Sequence, residues 1–313
     1  MSLWRRLSNL GVLGMNRRNI ELTQLENPRR LYPLVDDKLK TKELCGKAKI
    51  PIASVLGKAE YHVEVKALVA ELEGHGDFVL KPANGAMGNG IFVIRDAIEE
   101  GWMSVGGRVI TSGELAYHAE SIISGLYALG GKPDVAFVEE RLRIHPDFEP
   151  IASDGVPDVR FVIYQGVPVM AMTRLPTNRS GGRANLHQGA VGAGVDLDTG
   201  RTNYAVVHTS PVDEHPDTGV RVVDYLLPHF DEALRISIRA TDETGLGYVG
   251  ADVVIDRDRG PILLELNARP GLAIQLANRA GLLPRLEAVR KADVQALDLE
   301  DRIALGRQIA TAL

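Results

Sequence analysis

Two polar residues inside a short apolar run constrain the fold of this chain more than any other feature. The stretch Gly260–Gly271 reads GPILLELNARPG and has the composition of a buried strand. Side chains two residues apart on a strand point to the same face, so Glu265 and Asn267 share one face. Because a buried carboxylate without a partner is costly, the pattern predicts a bound group between these two side chains.

A third oxygen donor lies in the apolar run that precedes this stretch. A turn around Asp256–Gly260 would pair the two runs as a hairpin, with Asp252 near Glu265 and Asn267. Two carboxylates and an amide oxygen suit Mg²⁺ or Mn²⁺, which favours a metal site for the Glu265 and Asn267 pair. For Asp252 taken alone, the favoured interpretation is a buried carboxylate satisfied by the backbone or by an arginine such as Arg269.

A lysine and a cluster of glycines stand between two predicted strands, Phe78–Leu80 and Ile91–Ile94. Lys81 follows the first strand, and the glycines are Gly85, Gly88 and Gly90. Glycine backbone can approach phosphate oxygens, and successive N–H groups form an anion-binding concavity. The loop lacks the Lys-Ser/Thr pair of a Walker A sequence and leads into a strand, which excludes a dinucleotide-binding fingerprint. The alternative is a flexible turn between two strands.

Three arginines bracket a second glycine-rich segment. They are Arg160, Arg174 and Arg183. The planar guanidinium group matches carboxylate and phosphate, so this grouping predicts an anionic ligand, although a single strand arginine is typical of a surface ion pair. His187 of the same segment is either a general base or, as is more typical of a loop histidine, a hydrogen-bonding residue.

Composition and charge exclude several classes of function. The formal net charge of −5 argues against nucleic acid as the main ligand. No apolar run approaches the roughly 18 residues needed to span a bilayer, and the N-terminus lacks the apolar core of a signal peptide. The single cysteine, Cys45, is predicted to be a packing residue and fits a reducing compartment. These features predict a cytoplasmic protein without a membrane span.

Basic residues cluster near the N-terminus, where periodicity is weak. They are Arg5, Arg6, Arg17, Arg18, Arg29 and Arg30. The cluster predicts a solvated arm, with docking on a protein substrate or partner as the alternative.

The predicted elements follow a mixed order. Hairpin strands such as Asp158–Tyr164 and Val167–Thr173 alternate with helices, among them a long amphipathic helix over Val220–Thr244. A polar, glycine-rich loop is predicted over Asn178–Gly194. This order predicts α+β lobes rather than a doubly wound parallel sheet.

Taken in sequence order, these segments resemble the ATP-grasp superfamily of ATP-dependent carboxylate–amine ligases. The branch that looks most similar is that of the α-L-glutamate ligases that modify a ribosomal protein, with related ligase-like proteins. The similar segments, which together cover roughly residues 36–282, are Asp37-Lys38, Phe78–Pro82, Gly85–Gly90, Val138–Leu142, Asp158–Arg160, Arg183–His187, Gly250–Asp252 and Glu265–Asn267. The resemblance implies an ATP-grasp fold of the α+β class, in which two lobes grip ATP.

The resemblance also implies roles for individual residues. The cofactors would be ATP and Mg²⁺ (or Mn²⁺), with the metal held by Asp252, Glu265 and Asn267. The residues implied to bind ATP are Lys38, Lys81, Gly85, Gly88, Gly90, Glu139, Glu140, Arg141, Leu142, Asp158, Arg183 and Asn185. The residues implied to orient the substrate carboxylate or to steady the transferred charge are Arg160, Arg174, Arg183 and Arg269. The reaction would pass through an acyl phosphate, which an amine then converts into an amide.

The implied domain organisation has four parts. They are an N-terminal arm over residues 1–35, an ATP-grasp N-terminal lobe with a glycine-rich lid over 36–135, a C-terminal lobe with the metal site over 136–282, and a helical tail over 283–313. Ligases of this family carry a larger preceding domain, so a full N-terminal domain is expected to be missing here. The longer segment at His145–Pro150 and the presence of Arg269 bear on the amino-acid substrate rather than on the nucleotide chemistry.

Two alternative functions stay open on the sequence. An ATP-grasp kinase that phosphorylates a hydroxyl group would need a base, for which His187 and Asp196 are the nearby candidates. A regulatory module that binds ATP without turnover is the second alternative. For the ligase, the expected substrates are small-molecule or peptide carboxylates and amines.

Overall fold

The computed structural model describes residues 10–85, 88–128, 130–152 and 155–313. Two compact units make up this part of the chain. The smaller unit comprises Asp37–Leu39 and Ala53–Leu142, and the larger comprises the described residues up to Asp36 together with Lys40–Ile52 and Arg143–Leu313. The boundaries of these units do not coincide with the predicted domain boundaries.

The smaller unit is built on an antiparallel sheet of six strands. In chain order the strands are β1 (Val55–Ala59), β2 (Phe78–Pro82), β3 (Phe92–Ile98), β4 (Gly101–Ser104), β5 (Val109–Ile110) and β6 (Ala136–Glu139), and in space they are ordered β1-β6-β2-β3-β4-β5. Its helices are Val65–Glu71 and Ser112–Ile123, with a 3₁₀ turn at His62–Glu64. Phe78 and Leu80 alternate along β2 and pack with Leu115 of the second helix in one apolar core.

The larger unit contains an antiparallel sheet of seven strands. The strands are β7 (Asp158–Tyr164), β8 (Val167–Leu175), β9 (Val191–Val195), β10 (Thr202–Val207), β11 (Ser210–Pro211), β12 (Tyr248–Asp256) and β13 (Gly260–Asn267), in the spatial order β11-β10-β9-β8-β7-β12-β13. The central strands are almost wholly buried because apolar residues cover both faces of the sheet.

The remaining helical segments include short and irregular pieces as well as long helices. They are Met15–Arg17, the π-helix Arg18–Gln24, the 3₁₀ turn Arg29–Leu31, Pro33–Asp36, Lys38–Lys47, the 3₁₀ segments Pro146–Ile151 and Leu186–Gln188, Phe230–Thr244, Ile274–Asn278, Leu283–Lys291, the 3₁₀ turn Val294–Ala296 and Leu299–Ala312. Among the described residues, no helix combines the length and the apolar character needed to cross a bilayer.

The α+β class and both predicted hairpins are confirmed, because β7 pairs with β8 and β12 pairs with β13. The long helix predicted over Val220–Thr244 is wrong in its first ten residues, since the helix begins at Phe230. Pro228 lacks an N–H donor, and His229 adopts a left-handed conformation with φ of +52°, so a helix cannot run through them. The loop predicted over Asn178–Gly194 is wrong at its end, where β9 begins.

The described part of the N-terminal segment is anchored in the larger unit rather than forming a solvated arm. Leu13 and Leu22 are buried in the same apolar cluster as residues of the seven-stranded sheet. Asn27 is fully buried, and its amide donates hydrogen bonds to the carbonyls of Tyr248 (2.7 Å) and Ala268 (2.9 Å) and accepts one from the Tyr248 N–H (2.9 Å). Arg5 and Arg6 of the basic cluster lie outside the described residues.

Replacing Asn27 with alanine is expected to destabilise the protein strongly. The substitution leaves three buried backbone groups without partners, which predicts a loss of about 3 kcal/mol or more in the free energy of unfolding. Chemical denaturation monitored by circular dichroism measures this loss. Gln24→Ala, at an exposed position three residues earlier, serves as the control and is expected to change stability by less than about 0.5 kcal/mol. Equal stability of the two variants would contradict the anchoring role.

The Cys45 thiol is expected to be unreactive in the folded protein. Cys45 is fully buried in the main core of the larger unit, and burial raises the pKa of its thiol to about 11. At pH 8 the group therefore stays protonated and inaccessible, so an aromatic disulfide reagent should titrate no thiol until denaturant is added, and then one per chain. Rapid titration under native conditions would contradict the packing role.

Candidate functional site

The three residues predicted for the metal site, Asp252, Glu265 and Asn267, lie in one polar row across the larger sheet. Asp252 of β12 stands directly opposite Glu265 of β13, and Gly250 stands opposite Asn267. On its other side Asp252 is paired in register with Arg160 of β7. Residues opposite one another in a ladder point to the same face, so the structure brings these side chains together as the sequence predicted for Glu265 and Asn267.

Asp252 is held by two arginines from two different strands. Arg160 donates from Nε to Oδ1 (2.6 Å) and from Nη2 to Oδ2 (2.5 Å) of Asp252, which is the bidentate geometry of a guanidinium–carboxylate pair. Arg174 donates from Nη2 to Asp252 Oδ2 (2.7 Å). Arg174 also pairs with Asp158, its register partner, through Nε and Asp158 Oδ1 (2.6 Å) and through a second contact at Nη2. The four side chains form one buried ion network.

Burial and charge act in opposite directions on the carboxylates of this network. Burial favours the neutral form of Asp252, but attraction to Arg160 and Arg174 outweighs it and holds the pKa of Asp252 below its ordinary value. Burial raises the pKa of Asp158 to about 6; Arg174 opposes this shift, and repulsion from Asp252 adds to it. The pKa of Arg174 is raised because the two aspartates outweigh its own desolvation.

Glu265 and Asn267 form the open side of the row. The side chain of Glu265 is 35% exposed, and its Oε1 lies 4.0 Å from Arg160 Nη2. Asn267 donates from Nδ2 to Glu265 Oε1 (3.0 Å), which leaves its own amide oxygen without a hydrogen bond from any described residue. These two side chains therefore keep oxygen lone pairs available to a ligand.

The donor set fits a hard divalent cation. Among the described residues, no group of three or more His, Cys, Asp or Glu residues is arranged as a complete metal site. Mg²⁺, however, is normally held by one or two carboxylates with water and substrate phosphates in the remaining positions. Asp158, Asp252 and Glu265 supply three carboxylates, whereas only Arg160 and Arg174 supply guanidinium groups. A bound cation would therefore offset the excess negative charge.

In the smaller unit, the predicted phosphate lysine is held by an acidic partner. Lys81 is buried and forms an ion pair with Glu139, which the neighbouring strand β6 supplies. The Lys81 ammonium also lies 5.3 Å from the centre of the Phe137 ring. Lys38 donates from Nζ to the Gly85 carbonyl (2.6 Å), at the start of the glycine loop. Both lysines therefore contact groups of their own unit.

The glycine loop is tied to a helix at its C-terminal end. Gly88 and Gly90 both have φ of +74°, which favours glycine. His118 Nε2 lies 2.9 Å from the Gly90 carbonyl, and a Cβ at Gly90 would lie 2.5 Å from the Tyr127 ring. No local sequence pattern marks His118, because only the fold brings it to the loop. The loop residues Ala86 and Met87 lie outside the described residues.

The segment implied to contact adenine has a structural partner at each polar position. Glu140 accepts a hydrogen bond from the Ser54 N–H (2.8 Å), Arg141 Nε lies 3.4 Å from Asp77 Oδ2, and Leu142 is buried.

The remaining candidates are not in contact with the row. Arg183 and His187 are exposed, and their side chains make no hydrogen bond or ion pair with any described residue. Asn185 caps the short helix Leu186–Gln188 through its side-chain oxygen. Arg269 lies over the Tyr32 ring, 5.2 Å from its centre, and 3.6 Å from Asp36, so its observed contacts are with the N-terminal segment.

Asp196, one of the two bases considered for a kinase, is engaged in a turn. Its Oδ1 accepts hydrogen bonds from the Asp198 N–H, the Thr199 N–H and the Thr199 hydroxyl. These hydrogen bonds commit Oδ1 of Asp196 to groups of its own turn.

Comparison with known proteins identifies a family for most of the chain. The family model described as sugar-transfer associated ATP-grasp matches residues 17–291. No curated protein matches the sequence significantly.

The solved structures that match the chain are distant from it in sequence. The ATP-grasp ligase PsnB, complexed with a minimal precursor, is 16% identical, with 85% of this chain and 62% of PsnB covered and a TM-score of 0.43. The D-alanine–D-alanine ligase of Bacillus anthracis is 12% identical, with 90% and 69% covered and a TM-score of 0.43. The biotin carboxylase domain of the Hydrogenobacter thermophilus 2-oxoglutarate carboxylase, solved with ADP, Mg and bicarbonate, is 14% identical, with 87% and 49% covered and a TM-score of 0.46. The chain thus spans less than two thirds of PsnB.

A double-mutant cycle should show strong coupling between Asp158 and Arg174. Each single variant, Asp158→Asn or Arg174→Met, leaves a buried charge poorly compensated and is expected to lower the free energy of unfolding by about 3 kcal/mol at pH 8. The double variant should lose less than the sum of the two, by about 1–3 kcal/mol. The exposed pair Arg235 and Glu300 is the control, with an expected coupling below about 1 kcal/mol. Additive effects at Asp158 and Arg174 would contradict the buried network.

Proposed function

The chain belongs to the sugar-transfer associated ATP-grasp family, and on that premise we propose that it is an ATP-dependent ligase that joins a carboxylate to an amine. The match agrees with the ATP-grasp resemblance and the α+β fold inferred from the sequence. The finer similarity to glutamate ligases stays a prediction. The observation that carries the proposal is the row of Asp252, Glu265 and Asn267, with available oxygens at its open end.

In this proposal the row holds a divalent cation. Glu265 and Asn267 would supply direct oxygen ligands, and Asp252, fixed by Arg160 and Arg174, would supply the buried negative charge behind them. Mg²⁺, when bound, neutralises charge on the triphosphate oxygens. Because Arg174 is committed to two aspartates, we assign it the role of positioning Asp252 rather than that of contacting substrate.

Lys38, Lys81 and the glycine loop would bind the phosphates of ATP, as the resemblance implies. Lys81 is held in place by Glu139, which supports this role because a fixed cation needs no reorganisation when phosphate binds. The backbone of Glu139–Leu142 is proposed to pair with adenine. Asp158, Arg183 and Asn185 stay proposals as nucleotide contacts, since their present contacts do not require one.

The proposed chemistry requires two displacements. A carboxylate oxygen of the substrate attacks the γ-phosphorus, the bond to the bridging β-phosphate oxygen breaks, and ADP leaves with an acyl phosphate remaining. The nitrogen of an amine then attacks the acyl carbon, phosphate departs, and the amine proton passes to phosphate or solvent. Positioning and charge neutralisation account for most of the catalysis in such transfers, so no side-chain nucleophile is needed. Arg160 is the arginine best placed to steady the transferred charge, because it adjoins the open side of the row, with its Nη2 4.0 Å from Glu265 Oε1.

Glu265→Gln is expected to reduce ADP formation by about 100-fold or more, because the variant removes a metal-binding charge while keeping the side-chain size. The assay combines ATP, Mg²⁺, hydroxylamine and a panel of amino acids and other carboxylates, with coupled detection of ADP. Glu232→Gln, at an exposed glutamate, is the control and should retain full activity. Equal activity of the two variants would contradict the metal assignment.

Hydroxylamine also separates the ligase from the two alternatives. An acyl phosphate is trapped as a hydroxamate, whereas a phosphorylated alcohol is not. ADP formation without hydroxamate would favour a kinase. Mg²⁺-dependent ATP binding without any ADP formation would favour a regulatory module.

A further inference from the structure

Tyr248 carries a buried hydroxyl group that has no hydrogen-bond partner among the described residues. Tyr248 is fully buried at the start of β12, and its hydroxyl oxygen is buried as well. Its register partner on β7, Tyr164, is equally buried, yet the Tyr164 hydroxyl donates to Glu26 (2.7 Å) and accepts from Arg290 (2.9 Å). A buried hydroxyl without a partner costs free energy, so its retention at Tyr248 points to a ligand.

The unpartnered hydroxyl lies on the same face of the sheet as the polar row. Tyr248, Gly250 and Asp252 alternate along β12 and therefore point to one face. Arg160, which is paired with Asp252, uses Nε and Nη2 for that contact and has no hydrogen-bond partner for Nη1 among the described residues. A Cβ at Gly271 would lie 3.9 Å from this Nη1, so Gly271, which has no side chain, lies beside it.

A second guanidinium group, that of Arg18, reaches the same neighbourhood from the N-terminal segment. Arg18 donates from Nη1 to the carbonyl of Pro270 (3.3 Å), the residue that precedes Gly271. Its other hydrogen bonds go to the side chain of Asn19, and no carboxylate of the described residues pairs with it. A Cβ at Gly250, two residues after Tyr248 on the same face, would lie 2.8 Å from Pro270, the residue whose carbonyl Arg18 contacts. Burial raises the pKa of the Tyr248 hydroxyl, and the positive charges of Arg18 and Arg160 oppose that rise.

A hydroxyl donor and two guanidinium groups with unused N–H donors are the recognition elements of an anion. We propose that Arg18, Tyr248 and Nη1 of Arg160 form a subsite for the carboxylate of the substrate. This inference rests on the proposed ligase function and names the site for the carboxylate that becomes activated. Because Arg160 also holds Asp252, a carboxylate at Nη1 would lie one guanidinium group away from the metal-binding row.

Two tyrosine variants separate a binding role from a structural one. Tyr248→Phe removes only the unpartnered hydroxyl and is expected to leave the thermal unfolding midpoint unchanged or raised. Tyr164→Phe removes a hydroxyl with three partners, Glu26, Gln165 and Arg290, and is expected to lower the midpoint. A lower midpoint for Tyr248→Phe would overturn the proposal, because it would mean that the hydroxyl is satisfied within the fold.

Calorimetric titration tests binding without turnover. Glycine, L-glutamate, succinate and D-glucuronate are titrated separately into the protein with Mg²⁺ and a non-hydrolysable ATP analogue. At least one carboxylate is expected to bind, and Tyr248→Phe and Arg18→Gln should each raise its Kd about 10-fold or more, as loss of a hydrogen bond to a charged group implies. Arg17→Gln, at the neighbouring exposed arginine, is the matched control and should leave Kd unchanged. Unchanged binding in both subsite variants, or no binding of any of the four carboxylates, would overturn the subsite.

Failure of this inference can be distinguished from failure of the ligase proposal. If a carboxylate binds and the subsite variants weaken it, but no hydroxamate forms with ATP, the subsite stands and the ligase proposal falls. If hydroxamate forms equally well in the wild type, Tyr248→Phe and Arg18→Gln, the ligase stands and the subsite falls.

Discussion

The register of the larger sheet depends on how the negative charge of the buried Asp252 carboxylate is compensated. Water does not reach this group, so its charge must be balanced by cations within hydrogen-bonding distance. Arg160 and Arg174 supply those cations from two different strands. A slip of one residue in either strand would turn its arginine to the opposite face and leave the carboxylate uncompensated. The same contacts that fix the register of β7, β8 and β12 therefore also fix the polar row, which is how a structural requirement comes to hold a candidate metal site in place.

The alternation of side chains along a strand is sufficient to predict that Glu265 and Asn267 share a face. It is not sufficient to predict that Asp252 lies opposite Glu265. From the turn pair Asp256 and Gly260, a regular ladder would place Asp252 opposite Leu264, with Glu265 on the other face. Between the pairs Val253–Leu263 and Asp252–Glu265, strand β13 contains one extra residue, Leu264. This bulge brings Asp252 opposite Glu265. The run of apolar residues around Leu264 gives no sign of the bulge, so the strands were predictable and their register was not.

Ion pairs between distant strands were also beyond local sequence patterns. The resemblance assigned Lys81 and Glu139 separately to ATP, and nothing in the local pattern of either strand indicates that β2 and β6 are neighbours that pair the two side chains. A second bulge, between Val162 and Ile163 in the ladder of β7 with β8, likewise brings Arg174 opposite Asp158. Motif order could therefore predict the family and the chemical types of residue. Which of those residues pair with one another, and which remain to contact a ligand, depends on pairing between strands that are distant in sequence.

The ion pairs at the row determine the local charge that an anionic substrate meets as it approaches. Asp158, Asp252 and Glu265 carry one more charge than Arg160 and Arg174 offset, so without a cation the row itself is negative, and among the proposed subsite groups only Arg18 adds a further positive charge. A divalent ion at Glu265 and Asn267 would reverse the sign of the local charge, and the effect is strong because the surroundings are buried. Arg174, surrounded by carboxylates, cannot produce this reversal, and Nη1 of Arg160 offers a hydrogen-bond donor to the substrate carboxylate but no charge beyond that already counted. Metal and carboxylate are therefore expected to bind with positive coupling, and the metal makes the larger contribution to overcoming the repulsion.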